Sequence, residues 1–129
     1  MSKKRPRTSR KPSARAAVSV APPVTSAHLE IYDTTLRDGA QAEDVSFSAD
    51  DKVMVAQRLD ALGVQFIEGG WPGANPKDLE FFRMIMATPL KQATVVPFVS
   101  TRKASNPGQE DSTIQPLLQA ATKAITLFG

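Results

Sequence analysis

Cysteine is absent from the 129-residue chain, which excludes a disulfide framework, a thiolate nucleophile and any cysteine-ligated zinc. Histidine occurs once, as His28, ahead of the first apolar stretch. A Ser/His/Asp triad or a multi-histidine metal centre would have to be built around that single residue. Residues 1–27 lack acids and aromatics and, beyond Met1, large apolar side chains other than valine. They have no core for a secretory signal or a membrane span, and a cytoplasmic location is expected.

What residues 1–27 do contain is Ser, Ala, Pro and seven basic side chains, from Lys3 to Arg15. Such a segment cannot bury enough surface to offset the entropy of ordering it, and the expectation is a disordered tail over 1–27 and a folded domain over 28–129. Three roles stay open for the tail: a solvated extension, a contact with nucleic acid or an anionic surface, or a plastid or mitochondrial transit peptide. Nucleic acid is the weakest partner, because no aromatic residue is interleaved with the basic ones. The net charge of +3 conceals this split. Beyond residue 27 there are 9 basic and 13 acidic residues, so the folded part is acidic.

The folded part alternates strand and helix signals. Leu29, Ile31 and Tyr32 suit a buried first strand, and Gly39 suits the turn that follows it. Ser48 caps a helix with Asp50 and Asp51 in its first turn; Val53, Ala56, Leu59 and Leu62 form the apolar stripe, and Gly63 is the left-handed stop. A second strand, Val64 to Glu68, runs into the loop Gly69-Gly70-Trp71-Pro72-Gly73-Ala74. Asn75 and Pro76 start a second helix with Leu79, Phe82 and Ile85 or Met86 inward, and Thr88-Pro89 ends it. Ala93 to Ser100 reads as a third strand, with Pro97 tolerable only at a bulge or an end. A polar loop over 101–112 precedes a helix from Thr113 to Thr122, with Leu117, Leu118 and Ala121 inward. Ala124 to Phe128 then begins a fourth strand. This alternation predicts βαβ units and a parallel α/β sheet. It stops on a strand that leaves one flank of the sheet bare.

Asp33, Arg37, Asp38 and Gln41 lie within nine residues at the carboxyl end of the first strand, where parallel α/β folds place their substrates. Asp38 could ligate a divalent cation while Arg37 grips an anionic or carbonyl oxygen; equally, the two could be a structural ion pair. Glu68 ends the second strand and would share the same rim, as a participant in the site or as a structural partner of Arg37. The glycines of the 69–73 loop match neither the dinucleotide fingerprint nor the P-loop, which leaves a tight turn with Trp71 as a pocket wall, or a plain connection.

Asp33-Thr34-Thr35-Leu36-Arg37-Asp38-Gly39-Ala40-Gln41 resembles the signature of the metal-dependent Claisen-condensing family of citramalate, 2-isopropylmalate and homocitrate synthases and hydroxymethylglutaryl-CoA lyase. The run Ile67 to Asp78, with Glu68-Gly69-Gly70-Trp71-Pro72-Gly73, is similar to the citramalate synthase branch. The resemblance implies a (β/α)8 TIM barrel, of which residues 28–129 would be the first four βα units. It implies that acetyl-CoA, as co-substrate, condenses with pyruvate or, in the sibling enzyme, with 2-oxoisovalerate. It further implies Asp38 as ligand of Mg or Mn, Arg37 and Gln41 as holders of the 2-oxo acid, and Glu68 beside Arg37. The family completes its metal site with a His-x-His pair that this sequence lacks, and its enzymes are expected to be homodimers. The expectation is an N-terminal portion inactive by itself. The competing reading is a non-catalytic half-barrel that pairs with another chain.

Overall fold

The computed structural model describes residues 27–129 apart from 103, 106, 108 and 109. The segment expected to be a disordered tail lies outside the described residues save for its last position. Four strands form one parallel sheet in sequential order: β1 Tyr32–Asp33, β2 Phe66–Gly70, β3 Thr94–Ser100 and β4 Thr126–Phe128. Three helices alternate with them, α1 Ala49–Leu62, α2 Pro76–Met86 and α3 Gln115–Ala120. Right-handed crossovers that always advance in one direction put every helix on the same face of the sheet. α1 packs on α2 and α2 on α3, so the sheet is a half-barrel wall with an inner and an outer face.

Local chemistry sets the helix ends. The Ser48 hydroxyl accepts from Asp51 N at 3.1 Å while Asp51 Oδ2 accepts from Ser48 N at 2.9 Å, a reciprocal capping box at the start of α1. Gly63 closes α1 at a φ of 100°. Asn75 Oδ1 accepts from Lys77 N at 3.0 Å and Pro76 takes the first helical position of α2.

The core lies between the helices and the outer face. Leu36, Ile67, Phe81 and Phe82 are fully buried there, the two phenyl rings meeting edge to face at 5.3 Å. Strand alternation turns Ile67 and Val95 outward into this core and Tyr32, Glu68, Phe98 and Thr126 to the inner face. Pro97 sits within β3 opposite Gly70, where the β2–β3 register shifts, which is the irregularity a strand proline requires.

Several expected core positions are corrected. Leu29 and Ile31 lie outside β1 and are 82% and 53% exposed. Among the described residues β1 pairs only with β2, so no described strand covers them from the other side. Leu62 is exposed because the buried side of α1 runs through Ala49, Lys52, Ala56 and Asp60. Two residues beyond Asp60 is about 200° further round the helix. On α2 it is Ile85 rather than Met86 that turns inward, with Phe81 beside Phe82. α3 is shorter than predicted and buries Leu117 and Ala120, leaving Leu118 and Ala121 outside. Asp111, in the loop read as polar, is buried and accepts from Thr113 N at 2.8 Å ahead of α3.

Candidate active site

The chain leaves β1 through a turn that Asp33 builds rather than through a free carboxylate. Asp33 Oδ1 accepts from Thr35 N and Oδ2 from the Thr35 hydroxyl, each at 3.0 Å. The Thr34 carbonyl then accepts from the amides of Arg37, Asp38 and Gly39 at 3.1, 2.8 and 3.2 Å. Leu36 plugs the core beneath and leaves its neighbours Arg37 and Asp38 on the carboxyl rim of the sheet. Asp33 therefore drops out of the predicted cluster as a turn-former.

Arg37 is held on three sides. Its Nε donates to Glu68 Oε2 at 2.6 Å, its Nη1 donates to Asp38 Oδ1 at 3.1 Å, and its guanidinium carbon lies 4.3 Å from the centre of the Phe98 ring. The two readings left open for Arg37 and Asp38 thus coexist: the pair is an ion pair, and it stands at the rim. Nη2 makes no hydrogen bond among the described residues. Glu68 is only 1% exposed, and a buried carboxylate needs such partners. Its other oxygen, Oε1, accepts from the Tyr32 hydroxyl at 2.7 Å. Burial, with the Glu68 bond and charge adding to it, pushes the Tyr32 hydroxyl up to about 12, although the bond to Thr126 and the charge of Arg37 act the other way.

A cleft of about 320 Å³ opens beside Arg37, between the β1 loop, the β2 loop and the start of α2. Arg37, Gln41 and Trp71, three of the predicted site residues, line it together with Lys52, Asn75 and Phe98. Asp38 and Glu68 stand outside the lining and reach the cleft only through Arg37. Trp71 is held by its backbone: its amide donates to Asp78 Oδ2 at 2.9 Å. Asp78 in turn is ion-paired with Lys52, whose Nζ also donates to the Gly69 carbonyl at 3.1 Å. The indole N–H of Trp71 is buried and has no acceptor among the described residues.

Tyr32, Phe98, Lys52 and Asp78 were not among the predicted site residues, and Tyr32, expected in a buried strand, is 43% exposed. Tyr32 and Phe98 join the site only because strand register places them on one face with Glu68. Lys52 carried a usable signal. It lies three residues after Ala49 and four before Ala56, so a helix that buries both alanines must bury it too.

Asp38 fits a hard divalent cation as an oxygen ligand, and with its side chain 63% exposed it is open to one. Among the described residues no three His, Cys, Asp or Glu side chains are grouped to hold a metal ion. Asp38 thus fits as one ligand of several.

A wall of sequential parallel βα units, with an arginine clamped between two carboxylates on its carboxyl rim, defines a TIM-barrel-type α/β protein with a polar rim site. The chain belongs to the HMGL-like family, whose model matches residues 28–125. It is 54% identical over 101 residues to the (R)-citramalate synthase of Synechocystis, covering 78% of this chain and 18% of that protein. To the (R)-citramalate synthase of Geobacter sulfurreducens it is 48% identical over 101 residues, 78% of this chain and 19% of that one. A 2-isopropylmalate synthase of Thermosynechococcus vestitus is 45% identical over 67 residues, 52% of this chain and 12% of its own length. The chain thus spans about one fifth of the length of the citramalate synthases it matches.

Proposed function

We propose that this chain carries the 2-oxo-acid end of an acyltransferase that condenses acetyl-CoA with pyruvate to give citramalate and free CoA. The observation that carries the reading is Arg37, fixed by Glu68, Asp38 and Phe98 with Nη2 uncommitted beside the cleft. Condensation breaks a C–H bond of the thioester's methyl group, whose proton goes to a general base. A bond forms from that carbon to the carbonyl carbon of the 2-oxo acid, so that negative charge grows on the carbonyl oxygen. Arg37 meets this charge with a donor that is already oriented, so little reorganisation is needed as the barrier is crossed. Gln41 offers an amide to the acid's carboxylate, and Trp71 walls the space for its side chain. A divalent ion held in part by Asp38 would add Lewis-acid polarisation of the same oxygen. Water then cleaves the thioester, and the thiol of CoA leaves.

The match to citramalate synthases over most of the described fold favours pyruvate over 2-oxoisovalerate, as does the bulk of Trp71. Grafting residues 28–128 in place of the matching segment of the Synechocystis enzyme tests the proposal. Thiol release from acetyl-CoA with pyruvate is expected, and a shift toward 2-oxoisovalerate in Trp71→Ala. A folded graft that releases no thiol with any 2-oxo acid contradicts it.

A further inference from the structure

The inner face carries one continuous chain of hydrogen bonds that the proposed reaction leaves unused at its far end. Thr126 of β4 meets the Tyr32 hydroxyl of β1, that hydroxyl donates to Glu68 Oε1 of β2, Glu68 Oε2 accepts from Arg37 Nε, and Arg37 Nη1 donates to Asp38. We propose that Tyr32 is a positioning residue, which holds the Glu68 carboxylate in the one orientation that aims Arg37 at the cleft.

A carboxylate on a glutamate turns freely about its last bond unless both oxygens are engaged. Oε2 is engaged by Arg37 and Oε1 by Tyr32, so removing the phenol releases one side of the clamp. A tyrosine hydroxyl has one proton to give, and here it goes to the carboxylate. Thr126 therefore donates its own proton to the Tyr32 oxygen, and it fixes the rotor from the opposite strand. The ring packs on Phe66 at 6.4 Å, which keeps the phenol in place when the hydroxyl alone is deleted. Tyr32→Phe is thus expected to leave the fold standing while loosening Arg37. Glu68 at 1% exposure has no water shell to replace the lost donor.

This inference rests on the reading of Arg37 as the group that meets the 2-oxo acid, and its first test needs no turnover. The Arg37 Nε–H signal in a 15N-correlated spectrum of the 129-residue chain, assigned by its loss in Arg37→Lys, reports the bond to Glu68 through its exchange with water. Tyr32→Phe is expected to speed that exchange about tenfold or more with the backbone amides of β2 and β3 unchanged. Thr126→Val is expected to speed it less. An unchanged Arg37 Nε–H in a folded Tyr32→Phe chain overturns the proposal. Should Tyr32→Phe fail to fold, an unchanged signal in Thr126→Val overturns it equally. In the active graft, the same Tyr32→Phe change is expected to lower kcat about tenfold with KM for pyruvate within twofold. A graft with no activity at all would speak against the proposed function while leaving the exchange result intact.

Discussion

Among single residues, Asp60 is the one whose chemistry fixes a connection far from the rim. Its carboxylate accepts from the amides of Lys91, Gln92 and Ala93 at 2.8, 2.9 and 2.8 Å and so pins the segment that enters β3. Burial alone would raise its pKa, yet these three donors hold it below the usual carboxylate value. A folded-state pKa below the unfolded one means a contribution fully present above about pH 4 and lost as pH falls through the folded value. Urea melts of the chain between pH 2 and 5 are expected to show this loss in the wild type and a shallower one in Asp60→Asn. Asp60→Ala is expected to cost about 2 kcal/mol at neutral pH, since the donors lose their acceptor. Gly70 is the other singular position. Its φ is 128°, and the space where a Cβ would project is filled by the Asp78 carboxylate. Gly70→Ala should therefore destabilise the chain by about 2 kcal/mol or more, read from denaturation followed by the fluorescence of Trp71.

At the scale of elements, α1 works as a strut with a charge at each end of its buried side. Lys52 ties the loop after β2 through Asp78 and the Gly69 carbonyl, and Asp60 ties the segment before β3. Lys52→Met leaves Asp78 buried without its cation, for which a loss of about 3–5 kcal/mol is expected. Adding Asp78→Asn should return part of that loss in the same equilibrium melts, as the pair is removed together. These ties also mark the limit of what the sequence could say. The caps at Ser48, Gly63 and Asn75–Pro76 were legible because donor and acceptor lie within a few residues of each other. The strand-end placement of Arg37, Gln41 and Trp71 was legible from the motif after β1 and the loop after β2, and the structure sets all three along one cleft. The partners of Lys52 and Asp60 lie a helix and a strand away, so no local pattern records them. Leu29, Ile31, Leu62 and Leu118 were misjudged for the same reason, since exposure depends on which elements stand opposite.

For the whole molecule, the described sheet has two unpaired edges, β1 and β4, and exposed apolar side chains at both: Ile31 on one, Leu127 and Phe128 on the other. Parallel edges of this kind invite further strands. The 129-residue chain alone is expected to associate as its concentration rises in sedimentation, and Leu127→Lys to weaken that association. A well-folded monomer at every concentration would contradict this. No described helix is long and apolar enough to cross a membrane.

Arg37, clamped at the rim and beside the cleft, is the group on which the proposed condensation depends. The measurement that tests it is kcat for pyruvate-dependent thiol release from acetyl-CoA by the graft, with and without Arg37→Lys. A lysine keeps the charge but loses the planar fork that reaches Glu68 and Asp38 at once. The expected result is an active graft that loses about a hundredfold or more in kcat on this substitution, a loss of the size found when one aligned donor is removed from a growing oxyanion. An active graft in which Arg37→Lys leaves kcat unchanged would contradict the account.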